Sequence, residues 1–165
     1  DFPMAFECRV KFTQITDTYN FFIGLTEEGL SGDNGLIDDS GVLADKDFIG
    51  FHVLETAGAT LAVKYNKESA GGITTVIAAA QTLVAATWYK LGFLYDPTAE
   101  TAKRITFYID NVEQGTYVTG TNIAASTFPD AQGLLFMACM KNQTTAAKSI
   151  DLDWWAWGQS TLASS

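Results

Sequence analysis

An antiparallel all-β sandwich, of the jelly-roll kind, is the fold class this sequence predicts, and three observations predict it. Apolar and polar residues alternate with period two in one run after another, which is the signature of half-buried strands. Clusters of Gly, Asn, Asp, Ser and Pro separate the runs. The composition, with 20 Thr and 21 aromatic residues (11 Phe, 6 Tyr and 4 Trp) among 165, suits a pleated surface rather than a helix. A chain of this length is expected to form one domain over residues 1–165, with a core large enough to stand alone. Hydrophobic residues at 47% exclude disorder.

The elements follow in order. In residues 6–12 the apolar Phe6, Cys8, Val10 and Phe12 alternate with the charged Glu7, Arg9 and Lys11, predicting a strand with one buried and one wet face. A second strand is expected over 19–26. The stretch 28–46, with Gly29, Gly32, Gly35 and Gly41, reads as a long loop. Strands are then expected over 47–55 and 60–66, joined by Ala57-Gly58, and over 72–77 after the turn at 69–72. The run 88–96 ends at Asp96-Pro97. In 104–110, Ile105, Phe107 and Ile109 share one face while Thr106, Tyr108 and Asp110 share the other, and Asp110-Asn111 suits a tight reversal into 114–119. Runs at 133–141 and 149–158 complete about ten strands. The best helix candidate, Ala-rich 76–86, lacks an apolar stripe and a clear cap and is interrupted by Thr82, so one turn at most is expected. Two half-buried sheets resolve their exposure by stacking apolar faces. No repeat of about 20–50 residues points to a solenoid or propeller, and no linker divides the chain.

Charge narrows the partners. Ten Lys and Arg against 19 Asp and Glu give a net charge of −9, with only two Arg. Nucleic acid and anionic membrane surfaces both require clustered cations, so neither is an expected partner. The longest uncharged run, 69–89, is 21 residues but carries Gly71, Gly72, Thr74, Thr75, Gln81, Thr82 and Thr87, too polar to span lipid. The opening Asp1-Phe-Pro-Met4 is neither an initiator Met nor a basic-then-apolar leader, which fits a start left by processing, by a missing segment or by an artificial boundary. Cys8 and Cys139 pair only if the fold brings their strands together, and free, buried thiols are favoured. Two Cys and the lone His52 leave a four-ligand zinc site short, so no metal and no cofactor is expected.

The segments Thr87-Trp-Tyr-Lys-Leu-Gly-Phe-Leu-Tyr-Asp96 and Arg104-Ile-Thr-Phe-Tyr-Ile-Asp-Asn-Val-Glu-Gln-Gly115 resemble the concanavalin A-like lectin and glucanase superfamily. In that family a Trp-led strand ends in Asp, and a second strand runs into an Asp-containing hairpin. The run Ile150-Asp-Leu-Asp-Trp-Trp-Ala-Trp157 looks like the last strand of laminin-G-type members, so the likeness extends over most of the chain. Three blocks, Phe6-Glu-Cys-Arg-Val10, Asn20-Phe-Phe-Ile-Gly-Leu-Thr-Glu-Glu-Gly29 and Ala44-Asp-Lys-Asp-Phe-Ile-Gly-Phe-His52, also resemble small tailed-phage virion proteins that carry this sandwich. That resemblance implies a capsid-surface or decoration role, with shell proteins and copies of the chain as partners and the virion as location.

Within this frame the candidate binding face is Asp151, Asp153, Trp155 and Trp157, which share a parity opposite to Ile150, Leu152, Trp154 and Ala156. If the Ile150 side is the core, two acids and two large rings point outward, and flat rings stack on sugars or anchor protein interfaces. The blander reading buries them under a loop or the Thr161 tail, or has both sheet faces buried here. Sandwich glucanases, to which the family likeness extends, carry a Glu-x-Asp-x-Glu run. Here Asp151 and Asp153 take its first two acidic positions and Trp155 stands where the second Glu belongs, so no catalytic pair is expected. His52, in an almost wholly apolar strand with no nucleophile motif beside it, is expected to be a hydrogen-bonded core or interface residue. The acids Glu27, Glu28, Asp33, Asp38, Asp39, Asp45 and Asp47 are numerous enough to recruit calcium but match no EF-hand order, so a wet acidic loop is favoured. The resulting expectation is a non-catalytic virion protein. The alternative is an extracellular carbohydrate-binding module stacking sugars on Trp155 and Trp157.

Overall fold

A computed structural model describes residues 2–15, 19–30, 35–38, 41–54, 58–130, 133–142 and 148–160. Ten strands form two antiparallel five-stranded sheets. The first sheet has the order β10-β1-β6-β7-β8, from Ile150–Gln159, Met4–Phe12, Trp88–Tyr95, Ile105–Ile109 and Val112–Val118. The second has the order β5-β4-β3-β2-β9, from Thr74–Thr82, Thr60–Asn66, Phe48–Val53, Tyr19–Thr26 and Leu135–Asn142. The chain crosses repeatedly between sheets, so β1 and β10, at opposite ends of the sequence, lie side by side.

The alternation in β1 does what its parity predicts. Phe6, Cys8, Val10 and Phe12 enter the core, where they meet Phe21, Ile23 and Leu25 of the facing sheet and Phe93 and Leu91 of β6. Phe12 lies 4.2 Å from Phe21, centroid to centroid, nearly parallel. Each such ring, fully withdrawn from water, stabilises the fold by roughly 1.5–3 kcal/mol. Cys8 belongs to this core and Cys139 lies on the outer side of the second sheet beside Phe22; both thiols are free. Burial pushes the Cys8 thiol up to about 12 and the Cys139 thiol up to about 11, so both stay protonated and unreactive at neutral pH.

The reversal expected at Asp110-Asn111 joins β7 to β8 with both residues left-handed, at φ 50° and 66°. The type I′ geometry matches the strand twist, and Asn and Asp tolerate it because their short side chains bond locally. Asp110 Oδ1 accepts from the Lys90 backbone N–H at 2.8 Å, fixing the turn to β6. An Asn111→Val substitution is expected to cost about 1–2 kcal/mol, read as a lower urea midpoint, whereas Asn111→Gly leaves the midpoint unchanged or raises it.

Three features depart from the sequence reading. The Ala-rich stretch continues as strand through Thr82 at the edge of the second sheet, where Val76, Ile77 and Ala80 pack against the core. The single α-helix among the described residues, α1 at Gly120–Ile123, follows a reciprocal cap in which the Thr119 hydroxyl accepts from the Asn122 N–H and the Thr119 N–H donates to Asn122 Oδ1. The long loop is not wholly wet. Leu36, Ile37 and Leu43 are buried against Phe22 and Phe48, so β2 and β3 are covered on both faces. Of its acids, Asp33 and Asp39 lie outside the described residues. Glu27 accepts from the Asp47 N–H at 2.9 Å, Asp47 from the Glu68 N–H at 2.6 Å, and Asp45 from the Asn66 amide at 2.8 Å. These carboxylates tie the loop base to the β4–β5 turn, and no group of three or more His, Cys, Asp or Glu able to hold a metal occurs among the described residues.

Candidate functional site

The edge formed by β10 and β9 carries the candidate site, and a bulge decides its chemistry. From Phe12 opposite Ile150 the register runs through Lys11–Asp151 and Val10–Leu152, then slips, so that Arg9 faces Trp154 and Cys8 faces Trp155. Asp153 is the extra residue. One inserted residue reverses every later side chain. The four candidates therefore do not share a face, correcting the expectation from uninterrupted parity. Asp151 and Asp153 point outward, where Lys11 and Arg9 bind them at 2.9 and 2.6 Å. Both cations also lie over the Trp88 ring, at 4.9 and 4.7 Å. These acids are occupied by ion pairs on the first sheet's outer surface.

Trp155 and Trp157 turn instead toward the space between the sheets, at its open side. Trp155 stacks on Phe136 of β9 at 4.5 Å with ring planes 5° apart, closing a column that continues through Phe6 and Phe93 into the core. Trp157, opposite Phe6, keeps 54% of its surface in water, and Trp155 keeps 45%. Trp157 and Gln159 also form one wall of a cavity of about 570 Å³ between the sheet ends, with Tyr95 beside them and Phe128, Asp130 and Leu134 opposite. The volume is that of a small-molecule site, and the lining is apolar with a few polar groups. Asp130 is held by Lys67 at 2.8 Å.

A second polar site lies on the outer face of the second sheet. His52 is 1% exposed, and neither ring nitrogen has a hydrogen-bond partner among the described residues. This corrects the expectation of a hydrogen-bonded histidine: its neighbours across the strands are Phe22 and Ala62, which offer none. Burial, and secondarily the Lys64 charge, push the imidazole down to about 3, and burial lowers the Lys64 ammonium as well. The sequence signal for this site was His52 itself, but its surroundings depend on strand pairing.

No protein-family model matches the chain, and no curated protein does. Solved structures share its fold. A glycoside hydrolase family protein from Mycobacterium thermorestibile superposes with a TM-score of 0.56 at 14% identity, over 94% of this chain and 62% of its own. A family 7 alginate lyase bound to substrate superposes with a TM-score of 0.54 at 10% identity, over 100% of this chain and 64% of its own. The chain thus spans less than two thirds of either protein. The fold is the concanavalin A-like jelly-roll sandwich. Two expectations are corrected by the same structures. The phage decoration role finds no support in them, and both are carbohydrate-active enzymes, against the non-catalytic assignment.

Proposed function

We propose that the chain recognises carbohydrate at the β9–β10 edge, as a binding or processing domain, with Trp155 and Trp157 stacking on sugar rings. The observation that carries this reading is the half-exposed Trp157 indole lining a cavity of about 570 Å³, with the half-exposed Trp155 two residues before it on the same strand, on a fold shared with two carbohydrate-active enzymes. Trp157 supplies an open ring face, Gln159 beside it and Asp130 across the cavity supply polar groups, and Phe136 holds Trp155 flat. Sugars present apolar C–H faces and hydroxyl edges, which such a wall matches.

The test is a tryptophan-fluorescence titration with neutral glucan oligosaccharides and oligouronates, alongside an assay for newly released reducing ends or unsaturated products. Saturable quenching by at least one class is expected. Trp157→Ala is expected to weaken it tenfold or more, about 1.4 kcal/mol, with an unchanged melting temperature because the ring is largely exposed. Quenching by none of them, or equal binding by the variant, overturns the reading. Product release separates processing from binding alone.

A further inference from the structure

We propose that the concavity at His52 and Lys64 is a binding site for a carboxylate group, separate from the aromatic edge and independent of the function assigned to it. The concavity measures about 180 Å³ and is lined by His52, Thr60, Lys64 and Thr75, with Leu54, Ala62 and Ala78 as its apolar part. Gly50, directly opposite Lys64, has no side chain to intrude, and Thr75 is opposite Lys64 on the other side.

Two features point to an anion. In a chain with 19 acidic and 10 basic residues, the half-buried Lys64, like Arg104, has no carboxylate within ion-pair distance among the described residues, whereas Arg9, Lys11, Lys46, Lys67, Lys90 and Lys103 each have at least one. His52 beside it is fully buried with both nitrogens unpartnered among the described residues, a costly arrangement for polar atoms withdrawn from water. A carboxylate answers both needs: it accepts from the Lys64 ammonium, from the imidazole N–H and from the two Thr hydroxyls. Its single charge matches the single lysine. The groups facing His52 are Phe22 from β2, Ala62 and Lys64 from β4, and Thr75 and Ala78 from β5, with Cys139 one strand beyond. Lys64 is the one cation in that set, and a bound carboxylate would offset its opposition to an imidazolium.

His52 is the only histidine, so its side-chain NMR signals are unambiguous. Titration with sodium acetate at pH 7 and constant ionic strength is expected to move them saturably. Sodium chloride and inorganic phosphate serve as controls. Lys64→Met is expected to weaken the response tenfold or more, Lys64→Arg to retain most of it, and Thr75→Val, at an exposed position, to weaken it without affecting folding. The proposal is overturned if acetate does no more than chloride or phosphate, or if folded Lys64→Met and Thr75→Val respond as the parent does.

Discussion

Lowering the pH from 6.5 toward 3 is expected to remove roughly 4–5 kcal/mol of folding stability through His52 alone, and His52→Leu to abolish that portion of the loss. In the folded protein the imidazole titrates at about 3, chiefly because burial excludes water from the charged form; in the unfolded chain it titrates near its ordinary 6.5. Between these values the unfolded state binds a proton that the folded state refuses. Stability is therefore full above about pH 6.5 and declines by about 1.4 kcal/mol per pH unit below it. That slope removes a large share of the 5–15 kcal/mol typical of a domain. Urea melts at pH 7 and pH 4 check it. The parent should lose about 3 kcal/mol more than His52→Leu over that interval, since both share every other titrating group. At pH 7 the variant should be at least as stable, because Leu leaves no orphaned nitrogen. Equal losses in the two proteins would show that His52 is hydrated in the folded state.

The alternation in Phe6 to Phe12 and in Ile105 to Ile109 was legible because each strand has one covered face and one open one, and period two reports that contrast. In β2 and β3 the contrast disappears: Leu36, Ile37 and Leu43 fold over the outer side, and a strand covered twice looks like an undivided apolar run. The bulge at Asp153 was not legible, since it is a property of pairing with Arg9 and Val10, and it separates the candidate acids from the candidate rings. Trp155 and Trp157 could be singled out as large rings, but not their partner Phe136, which lies 19 residues before Trp155 on the other sheet. The three phage-like blocks fall largely on β1, β2 and β3, whose side chains build the core. Core strands are shaped by packing that any sandwich of this kind needs, so such a likeness carries the fold and not the partner.

Gly50→Ala is expected to cost about 3 kcal/mol, a fall in Tm of about 6–12 °C. Gly24 and Gly50 face each other across β2 and β3 in the middle of the second sheet, and the Phe22 ring lies over them. A Cβ on Gly50 would meet the Ile23 carbonyl oxygen at 2.5 Å, Phe22 Cζ at 2.7 Å and Gly24 Cα at 2.8 Å. Two of these are backbone atoms in a strand with partners on both sides, so they cannot retreat without opening the ladder that also carries His52. The third belongs to a ring packed against Phe48 and covered by the loop. Gly158→Ala, where a Cβ meets nothing within 4 Å on an exposed strand, should stay within about 0.5 kcal/mol of the parent and serves as the control. Pairing Gly50→Ala with Phe22→Ala distinguishes ring from backbone. The double variant should still be less stable than Phe22→Ala alone, because the Ile23 and Gly24 contacts persist. If Gly50→Ala melts with the parent, the close approach of β2 and β3 is wrong, and with it the covered outer face that places the loop beside the His52 site.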